Sequence, residues 1–108
     1  VVPTRNERGN VAGAIERTPV MGAGTELIFV EGGSTDGTWE AVQAAVATYR
    51  GPLKLSAYKQ PGKGKGDAVR TGFANATGDL LMILDADLTV PPEELPVFYE
   101  NAIRRRAD

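Results

Sequence analysis

The sequence contains no cysteine and no histidine among its 108 residues. Without them the chain cannot form a disulfide, a zinc site of the usual sulfur and imidazole ligands, a catalytic thiol or a Ser-His pair. Aromatic residues are also few, at 6% of the chain. Any chemistry must therefore use carboxylates, lysine, arginine, hydroxyl groups and the backbone.

The chain also lacks an excess of positive charge and any long hydrophobic run. Its formal net charge is -2 and its pI is about 5.1, which argues against nucleic acid as a partner. The apolar run at 80–84 is far shorter than the roughly 20 residues that cross a bilayer, and nothing resembles a signal peptide. We expect a soluble, cytoplasmic fragment of a longer protein, whose other parts would supply any association with the cytoplasmic face of a membrane.

Apolar runs alternate with helical patterns along the chain. Strands are predicted at 1–4, 26–31, 53–59 and 80–84. Four helices are predicted: the first over 10–17, the second from Ser34 or Thr35 to 49, the third from the end of the loop 60–67 to about 76, and the fourth over 92–106. Short connections between strand and helix imply parallel strands joined by right-handed crossovers. The predicted fold class is α/β, with a mostly parallel sheet between two helix layers.

The segment 79–94 carries the clearest chemical pattern. Its run 80–84 does not alternate, as is typical of a strand buried on both faces, and Asp85 and Asp87 follow directly. Side chains at the carboxyl end of such a strand face the ligand crevice of an open α/β sheet. Two close carboxylates beside a buried strand favour a divalent cation, since burial otherwise disfavours their charge.

This acidic pair allows two other interpretations. The aspartates could be solvated turn residues without a ligand. An EF-hand is a poor match, because Thr89 and Val90 stand where that loop needs an oxygen ligand and then glycine. The glycine-rich loop 60–67 likewise has neither the Walker A pattern nor the spacing of a dinucleotide fingerprint.

Four motifs occur in one order along nearly the whole chain. They are Pro3-Thr4-Arg5-Asn6-Glu7, Glu31-Gly32-Gly33-Ser34, Gly62-Lys63-Gly64-Lys65-Gly66-Asp67 and Asp85-Ala86-Asp87-Leu88. Together they resemble the donor half of family 2 glycosyltransferases of the GT-A fold, and the last is most similar to polyprenyl-phosphate sugar transferases such as dolichyl-phosphate mannose synthases. The resemblance implies a Rossmann-like nucleotide-sugar-binding unit, with residues 1–108 as the N-terminal donor-binding part of the transferase domain.

The resemblance also implies roles for the two aspartates. Asp85 and Asp87 match the Asp-x-Asp pair, in which Asp87 would bind Mn²⁺ or Mg²⁺ and Asp85 would contact the metal or the donor ribose. Carboxylate oxygens suit these hard cations, and a metal neutralises a leaving diphosphate. Thr89 stands where many polyprenyl-phosphate mannose synthases have glutamine.

Other positions match the nucleoside and phosphate contacts of that family. Glu31 corresponds to the first acid of the Asp-Asp-Gly-Ser motif, which recognises the nucleobase, whereas Gly32 replaces the second acid. Substrate-binding residues are also implied in the first strand and the glycine-rich loop: Pro3, Thr4, Glu7, Lys65 and Asp67. Arg5 stands where many members have tyrosine. Asp36 is expected to begin a helix rather than to bind a ligand.

The function implied is transfer of a sugar from a GDP- or UDP-linked donor to an acceptor, with a polyprenyl phosphate as one option. No catalytic base can be located, so the fragment alone is expected to be inactive or feeble. A sugar-1-phosphate nucleotidyltransferase is an alternative, but it would open on a glycine-rich loop with arginine. The other alternative is a sugar-nucleotide-binding module without catalysis.

Overall fold

The computed structural model describes the backbone of residues 1–107 and the side chains of residues 1–104. Strands β1 (Val2–Thr4), β2 (Glu26–Glu31) and β3 (Lys54–Lys59) form a parallel sheet in the order β1-β2-β3. Opposite Phe29 of β2 lie Val2 on one side and Ala57 on the other. The predicted α/β class is confirmed, and β3 lies at one edge of this sheet.

Helices connect these strands and follow them. They are α1 (Val11–Arg17), α2 (Thr38–Thr48), α3 (Gly64–Asn75) and α4 (Leu95–Ala107), and short 3-10 turns at Arg8–Asn10 and Pro92–Glu94 precede α1 and α4. The predicted start of α2 was wrong, since Ser34 and Thr35 do not cap it. Gly37 precedes the helix with φ of 87°, a left-handed conformation that suits glycine.

The sheet separates two hydrophobic clusters. On one face α1 and α2 cover the larger cluster, which includes Val2, Phe29 and Val42, all at most 1% exposed. On the other face α3 contributes Ala68 to a smaller cluster with Ile28 and Val30. The alternation of β2 side chains between faces therefore explains the predicted helix layer on each side.

The predicted fourth strand at 80–84 was wrong in two respects. The segment forms no regular strand, and its backbone hydrogen bonds beside the sheet go to Val1, which precedes β1. The Val1 nitrogen donates to the Met82 carbonyl at 2.8 Å, and the Leu84 nitrogen donates to the Val1 carbonyl at 2.9 Å. Leu81 and Ile83 are 41% and 45% exposed, so only the face that carries Leu84 is buried.

The apolar spacing in α4 predicts a buried stripe of Leu95, Phe98, Tyr99, Ala102 and Ile103, and the structure buries only part of it. Leu95 is buried and the Tyr99 hydroxyl lies beside Gly22, whereas Phe98 and Ile103 are 53% and 41% exposed. A 3-10 turn at Pro92–Glu94 occupies the predicted start of this helix, and α4 itself begins at Leu95. None of the described helices is both long and apolar enough to cross a membrane.

Candidate functional site

A cleft of about 900 Å³ opens at the carboxyl ends of the three strands. Residues from the ends of β1, β2 and β3, from the start of α3 and from the segment after 84 line it: Pro3, Thr4, Arg5, Glu7, Glu31, Gly32, Gly33, Lys59, Gln60, Gly62, Lys63, Gly64, Lys65, Ala68, Asp85, Ala86 and Asp87. This is the edge at which parallel α/β sheets bind ligands. Its volume lies within the usual range for small-molecule sites.

Most of the predicted site residues meet in this cleft. Those that line it are Pro3, Thr4, Glu7, Glu31, Lys65, Asp85 and Asp87. Asp67 does not line it. Its carboxylate accepts hydrogen bonds from the Gly62 nitrogen at 2.9 Å and from Gln60 Nε2 at 3.2 Å. Asp67 therefore shapes the loop before α3, and since α3 begins at Gly64 it does not cap that helix.

A second cavity of about 340 Å³ lies at the opposite end of the sheet and is mainly apolar. Met21, Leu81, Met82 and Tyr99 are among the residues that line it. It contains none of the predicted site residues, so the polar cleft is the better candidate for chemistry.

Glu31 is the most buried charged residue of the cleft, at 3% exposure. Its Oε1 accepts a short hydrogen bond from the backbone nitrogen of Ser34. The carboxylate therefore holds the turn that the two glycines after β2 make possible, and Gly33 has φ of 72° there. A buried carboxylate at this position can also accept from a ligand N–H, which is the role predicted for a nucleobase reader.

The loop after β1 is tied to the loop after β2. The Glu7 nitrogen donates to Thr38 Oγ1 at 3.0 Å, and Glu7 Oε2 accepts from Asn10 Nδ2 at 2.7 Å. Glu7 is thus oriented by both α2 and the turn before α1. The buried Thr4 hydroxyl donates to the Val2 carbonyl at 2.8 Å, and the Thr4 carbonyl accepts from the Gly32 nitrogen at 2.9 Å.

Asp85 forms an ion pair with the first turn of α3. Lys65 Nζ lies 2.6 Å from Asp85 Oδ1, and both side chains are about half exposed, at 59% and 49%. Lys65 follows Gly64, whose φ of 84° turns the glycine-rich loop into the helix. The loop therefore places a cation directly at one of the two predicted metal ligands.

Asp87 is held in its charged form. The backbone nitrogen of Thr89 donates to Asp87 Oδ1 at 3.1 Å. This bond, the Thr89 hydroxyl and the charge of Lys65 hold the pKa of Asp87 below its usual range. An ionised carboxylate is what a divalent cation needs.

The donor set fits Mn²⁺ or Mg²⁺ only as a partial site. Among the described residues no group of three or more acidic, histidine or cysteine side chains surrounds one point. Mg²⁺ commonly binds through one or two carboxylates, with water and substrate phosphates as its other ligands. Asp85 and Asp87 match that pattern, in which the ligand completes the metal shell.

Sequence reasoning missed Lys59 and Gln60, which line the cleft, and Asn6, which joins two of its loops. Gln60 places its Oε1 beside Gly32, 2.5 Å from where a β-carbon would stand. Lys59 lies over the Trp39 ring with 5.1 Å between Nζ and the ring centroid. Asn6 joins the two loops through its side chain. Of these three residues, only Gln60 had a signal in the sequence: glycine replaces the second acid of the motif at position 32, which leaves space for another side chain.

Asp36 lies outside the cleft and serves α2, as predicted. Its Oδ1 accepts from the backbone nitrogen of Thr38 at 3.0 Å and from the Thr38 hydroxyl, and its Oδ2 accepts from the Arg8 nitrogen at 3.4 Å. These bonds, the Thr38 hydroxyl first, lower the pKa of Asp36. The residue therefore ties the start of α2 to the turn before α1.

Known proteins are similar to this sequence over nearly its whole length. The family model for glycosyl transferase family 2 matches residues 1–108. Dolichol-phosphate mannosyltransferase of Pyrococcus furiosus is 36% identical over 110 aligned positions, which cover 100% of this chain and 30% of that protein. Undecaprenyl-phosphate 4-deoxy-4-formamido-L-arabinose transferase of Pseudomonas aeruginosa is 35% identical, with 94% of this chain and 31% of that protein covered.

A third relative extends the second group. The undecaprenyl-phosphate 4-deoxy-4-formamido-L-arabinose transferase of Aeromonas hydrophila is 32% identical over 96% of this chain and 33% of that protein. The chain spans about a third of the length of the curated relatives it matches. The match over the whole chain, the parallel sheet and the polar cleft agree with one another, and the chain belongs to glycosyl transferase family 2.

Proposed function

We propose that this chain is the donor-binding part of a metal-dependent glycosyltransferase that uses a GDP- or UDP-linked sugar. The observation that carries the proposal is the convergence of Glu31, Lys65, Asp85 and Asp87 on one cleft at the carboxyl edge of the sheet. A buried acceptor, a cation and two carboxylates match the three chemical parts of such a donor: base, diphosphate and bound metal.

Each part of the donor has a matching group in the cleft. The Glu31 carboxylate accepts from the N–H groups of a base such as guanine or uracil. Lys65 and the α3 start that follows the loop suit phosphate oxygens. Asp85 and Asp87 would hold Mn²⁺ or Mg²⁺, which supplies charge neutralisation of the leaving diphosphate.

We also propose a polyprenyl phosphate as the acceptor of the complete protein. The relatives from Pyrococcus furiosus and Pseudomonas aeruginosa are named for dolichol phosphate and undecaprenyl phosphate. A phosphate acceptor is itself an ionised oxygen nucleophile and needs no general base. That chemistry is consistent with a site in which none of the predicted residues serves as a base. Work on such a lipid would take place at the cytoplasmic face of a membrane.

A thermal-shift screen tests the donor site directly. The purified protein is heated with UDP, GDP, CDP or dTDP, each with and without Mn²⁺. A ligand at 100 times its dissociation constant stabilises the folded state by about 2.7 kcal/mol, which for a domain of this size raises the Tm by roughly 10 °C or more.

The expected result is a shift that requires Mn²⁺ together with GDP or UDP. A shift with nucleotide alone would contradict metal dependence. Absence of any shift with a folded protein would contradict the donor site. Binding without transfer by the complete protein, supplied with the sugar-linked nucleotide and a polyprenyl phosphate, would favour the non-catalytic binding module.

A further inference from the structure

Lys65 occupies an unusual position in the cleft. Its Nζ forms an ion pair with Asp85 Oδ1 at 2.6 Å. The same loop contains a second lysine, Lys63, which lines the cleft but forms no ion pair among the described side chains. Thus one of the two aspartates proposed to hold a divalent cation already has a cationic partner, while Asp87 accepts its hydrogen bond from Thr89.

The pair is built so that it can separate at little cost. Both side chains are about half exposed, and exposed ion pairs contribute little to stability because water and salt screen them. Lysine has a flexible stem and a point charge that can turn from one oxygen to another. The Lys65 backbone lies in the first turn of α3, next to the loop at 62–64 that also lines the cleft. A diphosphate in the cleft would therefore lie within reach of the same ammonium group.

We propose that the Lys65 ammonium group pairs with Asp85 while the cleft is free and moves to the donor diphosphate when the donor binds. This movement leaves Asp85 open to the divalent cation. The inference rests on the proposed function and adds a rule for the order of binding. Metal alone must compete with Lys65, whereas metal with nucleotide does not.

Reciprocal coupling follows from this competition. If a nucleotide raises the affinity for the metal, the metal must raise the affinity for the nucleotide by the same factor. Removal of the Lys65 charge therefore acts in opposite directions on the two ligands. It raises the affinity for the metal in the absence of nucleotide and lowers the affinity for the nucleotide. A lysine with only a structural role would not produce these two opposite effects.

The test compares Lys65→Met with wild type in the purified protein. Mn²⁺ binding is measured by electron paramagnetic resonance, in which free Mn²⁺ gives the sharp signal, and GDP and UDP binding at saturating Mn²⁺ is measured by calorimetry. Lys65→Met should bind Mn²⁺ alone about two- to fivefold more tightly than wild type, as expected for loss of an exposed ion pair. It should bind the nucleotide more weakly and show a smaller effect of nucleotide on Mn²⁺ affinity.

Two variants control for charge and fold. Lys63→Met removes the same charge from the same loop and should leave the affinity for Mn²⁺ alone within twofold of wild type. Lys65→Arg keeps the charge and should behave as wild type toward Mn²⁺ alone. Unchanged or weaker Mn²⁺ binding by Lys65→Met, or an equal gain in Lys63→Met, would overturn the inference and leave the donor site intact. Failure of wild type to bind Mn²⁺ even with GDP or UDP would instead overturn the proposed metal site, and the inference with it.

Discussion

The backbone nitrogen of Asn6 donates a hydrogen bond to the Ser34 hydroxyl oxygen at 2.9 Å. Asn6 Oδ1 in turn accepts from the backbone nitrogen of Thr35 at 2.9 Å. These two bonds join the loop after β1 to the loop after β2, although the residues lie 28 and 29 positions apart in the sequence. They hold the two loops that carry Glu7 and Glu31 at one side of the cleft.

Asn6→Ala should destabilise the protein by about 1–2 kcal/mol, through loss of the side-chain bond to Thr35 and through backbone strain. Asn6 has φ of 52°, a conformation that asparagine tolerates better than alanine. Asn6→Gly lacks the same side chain but adopts this φ freely, so it should be less destabilised. Urea unfolding of the three proteins measures the difference, and a glycine variant less stable than the alanine variant would contradict the role of the backbone.

Asp87→Asn should abolish metal-dependent nucleotide binding while the fold persists, because an amide oxygen is a far weaker partner for a divalent cation than a carboxylate. Asp87 is exposed, and its Oδ1 bond to the Thr89 nitrogen survives in asparagine. Calorimetry with GDP or UDP and Mn²⁺ measures the loss. Asp79→Asn is the matched control, since Asp79 lies in the same segment but at the other end of the sheet. Unchanged Mn²⁺-dependent affinity in Asp87→Asn would remove the proposed metal site.

Low pH should weaken the hydrogen bonds through which Asp36 connects α2 to the turn before α1. The hydrogen bonds from Thr38 and Arg8 hold the pKa of Asp36 below its usual value of about 3.9. A depressed pKa contributes stability that is present above the unfolded-state pKa and is lost as pH falls through the folded-state pKa. Wild type should therefore lose stability below about pH 4 more steeply than Asp36→Asn, which keeps the Oδ1 acceptor and does not titrate. Urea midpoints at several pH values test this, and parallel curves for the two proteins would contradict it.

Gly32→Ala should displace the side chain of Gln60. The added β-carbon would stand 2.5 Å from Gln60 Oε1. The amide must then leave its bonds to the Gly64 carbonyl at 3.1 Å and to Asp67 at 3.2 Å, at a cost of about 0.5–1.5 kcal/mol. In a Gln60→Ala background the same substitution should cost almost nothing. A double-mutant cycle by urea unfolding measures this coupling, and an equal cost in both backgrounds would show that Gln60 is not displaced.

Local patterns were sufficient for much of the fold. The apolar run of β2 predicted its bounds, and that of β3 did so to within one residue, while the helices followed from their stripes and from proline and glycine signals. Because the carboxyl ends of parallel strands share one edge, the sequence also predicted that Asp85 and Asp87 would face the ligand crevice at that edge. Hydrophobic period and strand direction are properties of neighbouring residues, so no tertiary information was needed.

Partners far apart in the chain were decided by tertiary structure alone. The run at 80–84 was predicted as a buried strand, but a strand needs a partner along its length, and Val1 offers hydrogen bonds at one residue only. The pairing of Lys65 with Asp85, and the position of Gln60 beside Gly32, depend on how loops from different strands face each other. The sequence by itself determined that most of the predicted groups reach the cleft, because each of these groups follows its own strand or loop. The packed structure decided which group meets which, because those contacts depend on distances that no local pattern encodes.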